Sequence, residues 1–298
     1  MKSPLISICL PNLNSEDFLN QRIESILAQS FKNWECIICD NFSDDESWNI
    51  ISRFADIDDR FKIFQKSKNG MYSNWNNCLN LSSGEFIYIA TSDDIMSKDC
   101  IEMLFRGFIM LPIASVISSI PWMIDINGNE METGVCGDIE HRIAKEQNTP
   151  VLIDNMELFV SALERDRTPA LSMTQLLIRK EVFSKISEFP IQFGSMGDWA
   201  WQMLTLANVK WGFVPEKLGS WRRHDKQATD SEQYVKNYLK TENEMVDWLI
   251  NHRKFRKISW LFKLGIWKAN RNYQLNSSNI YAKAGYLTKK FSMKIAHF

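Results

Sequence analysis

Along the first 120 residues, short apolar runs alternate with stretches whose apolar positions recur every three or four residues. The runs 5–10, 35–40, 61–65, 86–91 and 115–120 predict strands, each compact and dominated by Ile, Val, Phe and Cys. Between them, 17–29 repeats Phe18, Ile23, Ile26 and Leu27, and 98–109 repeats Ile101, Leu104, Phe105 and Phe108, the spacing of helices that turn one face to a core. Strand–helix alternation of this kind predicts an α/β fold, a doubly wound sheet with right-handed crossovers. Ligands of such sheets bind beyond the carboxyl ends of the strands, so the residues that follow each strand become candidates.

From 121 to 150 the pattern weakens into Pro121, Asn127-Gly128-Asn129, Gly134 and Gly137, which predicts a hairpin or a flexible loop region. Beyond it, a helix is expected over 154–164, a strand over 175–178 and a helix over 198–208 carrying Trp201, Leu204 and Leu206. Two short strands, 210–214 and 217–221, and a long helical stretch, 231–250, complete the reading.

Charge changes the picture at one end. Of 298 residues 45% are hydrophobic, enough for a large core, and the net charge is −1. Residues 251–298 hold eleven of the 35 Lys and Arg and no Asp or Glu, which leaves 24 basic against 36 acidic residues before them. That tail interleaves Phe255, Trp260, Phe262 and Trp267 with Arg253, Lys254, Arg256, Lys257, Lys263 and Lys268. Two readings stand side by side: a basic amphipathic segment for an anionic membrane surface, or aromatics that pack on an acidic body. A nucleic-acid partner is not expected.

The opening apolar run, Leu5–Leu10, is stopped by Pro11 and is too short for a signal segment, and no run reaches the eighteen or so apolar residues of a membrane span. A cytoplasmic chain, peripheral on the inner face of the membrane if the tail binds lipid, is the expectation. Six cysteines at 9, 36, 39, 78, 100 and 136 lie mostly in apolar segments, as reduced core residues do. Cys36 and Cys39 form a C-x-x-C, but in a strand the two point to opposite faces, which does not suit a metal knuckle.

The candidate chemistry sits at strand ends. Pro11-Asn12-Leu13-Asn14 follows the first predicted strand, and Asp40-Asn41-Phe42-Ser43-Asp44-Asp45 the second, where Asp40 could accept hydrogen bonds from a base or ribose; turn and capping duty is the plain alternative. The fourth strand runs into Thr91-Ser92-Asp93-Asp94. Adjacent carboxylates at the mouth of a buried strand repel unless a cation balances them, and a divalent metal bridging them to a diphosphate would do so. Gly197-Asp198 opens a helix, either as a cap or as a base toward an incoming hydroxyl. Trp221-Arg222-Arg223-His224 brings cationic groups and an imidazole that could meet metal or phosphate.

The ordered set Pro11-Asn12-x-Asn14, Asp40-x-x-Ser43-Asp44, Gly70-Met71-Tyr72-Ser73-Asn74, Ser92-Asp93-Asp94, Gly197-Asp198 and Arg222-Arg223-His224 resembles the family 2 glycosyltransferases of the GT-A fold, over roughly 4–228. The resemblance implies a GT-A domain over 1–228, its Rossmann-like sheet with helices on both faces, divided into a nucleotide-binding half of about 1–120 and an acceptor-side half of about 121–228. A basic, aromatic helical region follows over 229–298. It further implies an inverting transfer from a nucleotide-diphosphate sugar to an acceptor hydroxyl, with Mn2+ or Mg2+ as cofactor. By position, Pro11, Asn12, Asn14, Asp40, Asn74 and Asp93 would bind the nucleotide sugar, and Asp93, Asp94 and His224 would meet the metal. Asp198 would be the catalytic base. The expected partners are the donor and a glycan or lipid-linked acceptor, in bacterial surface polysaccharide or lipid-linked glycan synthesis.

Four positions depart from the family pattern: Thr91 for the first Asp of the metal motif, Asn41 for a second acid after strand two, Gly197 for the Glu before the base, and Asn74 for a frequent Arg. They keep an alternative in view, a non-catalytic protein that binds the nucleotide sugar or serves as a scaffold. A nucleotidyltransferase would need a Gly-rich phosphate loop after the first strand, and Pro11–Asn14 has no Gly.

Overall fold

The computed structural model describes residues 4–66, 70–131, 146–165 and 168–224, together with 241, 244–245, 248–249 and 251–253. The order is β1 (Ile6–Asn12), α1 (Glu16–Leu27), β2 (Trp34–Asp40), α2 (Ser47–Ala55), β3 (Phe61–Gln65), α3 (Met71–Leu81), β4 (Phe86–Ile89), α4 (Cys100–Met110) and β5 (Val116–Ile124). There follow β6 (Val151–Leu152), α5 (Asn155–Arg165), β7 (Leu177–Arg179), α6 (Glu181–Lys185), α7 (Gly197–Leu206) and β8 (Trp211–Arg222).

These strands form one eight-stranded sheet in the order β3-β2-β1-β4-β7-β5-β8-β6. It is parallel from β3 to β4, as alternating strands and helices require. β7 then inserts antiparallel to both β4 and β5, which returns β5 and β8 to the direction of β1. The carboxyl ends of β1, β2, β3, β4, β5 and β8 therefore share one edge of the sheet. Because α7 leads into the start of β8, its own N-terminus lies at that edge too.

Side chains alternate across the sheet into two cores, one on each face. Cys9, Ile37, Cys39, Ile87 and Ile89 pack with residues of α3, α5 and α7, while Ile8, Leu10, Cys36, Ile38 and Tyr88 pack with residues of α1, α2 and α4. Cys36 and Cys39 thus face opposite ways, and both are buried free thiols. Met245 and Leu249 join the first core and Trp248 packs against it, so the described positions of the predicted 231–250 helix lie on the body.

Two boundaries differ from the sequence expectation. The segment predicted as a strand over 175–178 opens as a short 3-10 turn, Met173–Gln175, because Ser172 and Gln175 form a reciprocal cap; the strand is Leu177–Arg179. The two short strands over 210–214 and 217–221 are one, β8, whose pairing with β5 shifts register around Ser119–Pro121. Pro215, which has no N–H to pair, lies at that irregularity. In the weak stretch after 121, β5 continues to Ile124 and turns back through Asp125–Asn129, where Asp125 Oδ1 accepts from the amides of Asn127 and Asn129 at 2.9 Å each. The basic tail beyond 253 lies outside the described residues. No helix among the described residues is long and apolar enough to cross a membrane.

Candidate active site

Three polar clusters line the carboxyl edge. In the first, Asn12 and Asp40 are paired at the ends of β1 and β2, both buried. Asp40 Oδ1 accepts from Asn12 Nδ2 at 2.8 Å and from Ser43 Oγ at 2.5 Å, and Oδ2 accepts from the Ser43 amide at 2.9 Å. A carboxylate supplied with three donors holds its loop in place. Asn14, at φ 50°, receives the Asp44 amide on its side chain at 3.0 Å, and its own amide donates to Ser43 Oγ at 2.9 Å. Asn74, buried on α3, donates to the Cys39 carbonyl at 2.7 Å and so ties that helix to the end of β2. Pro11 is buried one residue before the strand ends, and its position opposite Cys39 sets Asn12 against Asp40.

The second cluster joins the ends of β4 and β8. Asp94 is buried, accepting from Thr91 Oγ1 at 2.6 Å and from the Arg222 amide at 2.7 Å. Burial, and after it the charge of Asp93, push the Asp94 carboxyl up to about 7. Asp93 differs: its side chain is 31% exposed and its Oδ2 lies 3.1 Å from His224 Nε2. The guanidinium of Arg222 is spent on the protein, donating to the carbonyls of Asp93, Asp125 and Ile126 and to Gln21 Oε1. Arg222 is therefore a clamp on the β4 and β5 loops, while Arg223 is exposed and lies over the Trp221 ring at 5.0 Å. Ser15 and Ser92, 2.8 Å apart, link this cluster to the first.

Asp198 forms the third. It stands in the first turn of α7, where helix amides favour a negative charge, and its Oδ1 accepts from Tyr72 Oη at 2.7 Å and from the Trp199 amide at 2.8 Å. Oδ2 makes no hydrogen bond among the described residues. Burial raises the Asp198 carboxyl above its ordinary value, against the hydrogen bond from Tyr72. A carboxylate with one oxygen anchored, the other unengaged and its proton affinity raised has the properties of a general base.

A divalent cation fits the second cluster in part. No group of three or more His, Cys, Asp or Glu among the described residues is arranged to hold a metal ion. Asp93 and His224 offer a carboxylate and an imidazole, a short donor set of the kind a cation completes with substrate phosphates and water. Both Asp94 oxygens are already engaged by the protein.

Residues 7–166 match the profile described as Glycosyl transferase family 2. The chain belongs to that family. Among curated relatives, a Haemophilus influenzae protein named uncharacterized glycosyltransferase is 41% identical over 34% of this chain and 41% of its own length. A Campylobacter jejuni GalNAc(5)-diNAcBac-PP-undecaprenol beta-1,3-glucosyltransferase is 33% identical over 35% of this chain and 34% of its own length. An Escherichia coli UDP-Glc:alpha-D-GlcNAc-diphosphoundecaprenol beta-1,3-glucosyltransferase, WfgD, is 34% identical over 35% and 40% respectively. The matched stretches thus span less than half of these relatives. In structure, the chain resembles S. aureus TarS residues 1–349 in complex with UDP-GlcNAc, with a TM-score of 0.69, 15% identity and coverage of 93% of this chain and 74% of that one. This likeness shows the GT-A fold.

Within that fold, one departure from the family pattern has a steric explanation. A Cβ on Gly197 would lie 2.4 Å from the Pro190 carbonyl oxygen and 2.5 Å from Cδ2 of Tyr72. The space a Glu side chain would need before Asp198 is filled by the tyrosine ring. Tyr72 lies in the Gly70–Asn74 segment, and nothing in its spacing announces a contact made 126 positions away.

Proposed function

We propose that the protein is an inverting, metal-dependent glycosyltransferase that moves a sugar from a nucleoside-diphosphate donor to an acceptor hydroxyl. The observation that carries the reading is Asp198, anchored through one oxygen by Tyr72 and the helix amide, on the same sheet edge as Asp40, Asp93 and His224. Asp198 Oδ2 takes the proton of the acceptor hydroxyl as its oxygen attacks the anomeric carbon from the face opposite the leaving diphosphate. The bond to the diphosphate breaks in the same step, so the anomeric configuration inverts. Asp93 and His224 would hold the cation; when bound, it neutralises charge on the leaving diphosphate. Asp94, Thr91 and Arg222 keep the Asp93 loop in position, and Asn12, Asp40, Ser43 and Asn74 shape the wall against which the nucleotide lies, with Pro11 and Asn14 at its margin.

The relatives' names include acceptors on undecaprenyl diphosphate. They support placing this transfer in bacterial surface polysaccharide or lipid-linked glycan synthesis at the cytoplasmic face of the membrane. The basic aromatic tail over 251–298 would hold the chain there; its removal should reduce binding to anionic vesicles, and unchanged binding would reassign those aromatics to packing.

A thermal-shift panel of nucleotide sugars with Mn2+ tests the donor assignment, followed by an assay for release of the nucleoside diphosphate. A donor at a hundredfold excess over its dissociation constant should stabilise the fold by about 2.7 kcal/mol. Stabilisation with no sugar release, even with acceptor present, would favour the non-catalytic alternative.

A further inference from the structure

Ile191–Met196, the stretch that delivers the chain to Asp198, is a 3-10 turn broken by a kink. At the break Phe193 has φ −103° and ψ 20°, and Gly194 has φ 54° and ψ −122°, a combination that residues with side chains avoid. A Cβ on Gly194 would meet nothing within 4 Å, so its backbone and not a close approach requires the glycine. No side chain caps this turn. The kink is pinned instead by its own aromatic ring, since Phe193 is 3% exposed and lies in the core that α3 and α7 share.

A distant segment of the chain bears on that ring. Trp248 meets Phe193 edge to face, with ring centroids 5.5 Å apart and planes at 71°. Met245 and Leu249, at helical spacing from Trp248, are buried in the same core, and the His252 ring lies 4.7 Å from Trp248 one turn on. Trp248 is therefore fixed by its own helix and presses on Phe193. On the other side of the kink, Tyr72 Oη lies 3.1 Å from the Ser195 carbonyl oxygen, and the same hydroxyl donates to Asp198 Oδ1 at 2.7 Å. The contacts run without a gap from Trp248 through Phe193 and Ser195 to Tyr72 and Asp198.

We infer that Trp248 is a positioning residue for the transfer: it seats Phe193 and so fixes the turn that sets Tyr72 against Asp198. The inference rests on the reading of Asp198 as the base and extends the active site to a segment well beyond the sheet. A base must stay within hydrogen-bond reach of the hydroxyl it deprotonates, so a small shift of this turn costs rate steeply. A tryptophan that only filled the core would contribute to melting temperature and leave the rate of the folded chain unchanged.

The test is release of nucleoside diphosphate by the full chain with Mn2+ and water as acceptor. The donor is whichever of UDP-glucose, UDP-GlcNAc and GDP-mannose the wild type turns over fastest, and every variant is assayed below the onset of its melting. In Trp248→Ala kcat should fall about tenfold with the KM for the donor unchanged, and Trp248→Phe, which keeps a ring, should stay near wild type. The acid limb of the kcat–pH profile should move to higher pH in Trp248→Ala, as the Tyr72 hydrogen bond loosens. Added to Tyr72→Phe, Trp248→Ala should cost nothing further, because the bond it supports is already gone. Trp248→Leu, apolar but without a ring, carries the same expectations should Trp248→Ala not fold. A wild-type kcat in the folded variant, or a full further loss in the Tyr72→Phe background, overturns the inference and leaves the base reading standing. A wild-type rate in Asp198→Asn, or a wild type that turns over none of the three donors, removes the base reading and this inference together.

Discussion

Tyr72 Oη donates to Asp198 Oδ1 across 2.7 Å, joining the first turn of α3 to the first turn of α7. The hydroxyl stabilises the carboxylate, so it opposes the rise that burial imposes on the Asp198 pKa. Removing it in Tyr72→Phe should raise that pKa further and move the acid limb of the kcat–pH profile to higher pH. On that limb the rate should fall roughly tenfold, the size of a hydrogen bond to a charged group. A Tyr72→Phe profile that superimposes on wild type would leave Tyr72 a packing residue.

Gly197 belongs to the same contact. Gly197→Ala forces the Tyr72 ring and the Pro190 carbonyl apart, since the new Cβ would approach both within 2.5 Å. Overpacking of this kind costs about 1–3 kcal/mol. The variant should melt earlier and lose kcat through the displaced tyrosine, measured by thermal unfolding and steady-state transfer. Unaltered values in both would mean that the helix start shifts freely.

Asp94 should make stability depend on pH. Its folded pKa, about 7, stands above the ordinary 3.8, so between these values the native chain binds a proton that the unfolded chain has released. Its contribution is then fully present below pH 3.8 and is lost as pH rises through about 7. Asn at this position cannot ionise and still accepts the Arg222 amide. The decline in melting temperature between about pH 4 and pH 7 should therefore be shallower in Asp94→Asn. Parallel melting curves across that range would place the pH dependence elsewhere.

Arg22 is fully buried on α1, and its three guanidinium nitrogens make no hydrogen bond among the described residues. Its charged carbon lies 5.8 Å from the centre of the Tyr88 ring, and its charge favours ionised Asp94, offsets that fall short of the lost hydration. Arg22→Met fills similar space without charge and should raise stability by about 1–3 kcal/mol in denaturant unfolding. A loss of that size instead would mean that the guanidinium has partners in solution.

The parallel half of the sheet was legible because each strand is a short apolar run between amphipathic stretches, and the position of Asp40, Asp93 and Arg222 at the carboxyl edge follows from it. The β7 insertion was not, since three paired residues and a capped 3-10 turn carry little periodic signal. The merging of two short strands into β8 was hidden by Pro215, which in a sequence marks a break and in the sheet an irregularity. At the site, residue types spoke for Asp93, Asp94 and Asp198 equally. Only coordinates distinguish Asp94, engaged by Thr91 and Arg222, from Asp93, which is partly exposed beside His224. The tyrosine behind Asp198 and the buried surroundings of Arg22 depend on contacts between distant segments, for which one sequence has no marker.

Asp198 as the base of the transfer is tested most directly by removing its proton affinity alone. Asp198→Asn keeps the acceptor for the Tyr72 hydroxyl and for the Trp199 amide but cannot take a proton. Single-turnover transfer should slow by about 10²- to 10⁴-fold, while calorimetric affinity for the donor's nucleoside diphosphate stays at the wild-type value. Transfer at an undiminished rate with that affinity intact would mean that another group takes the proton.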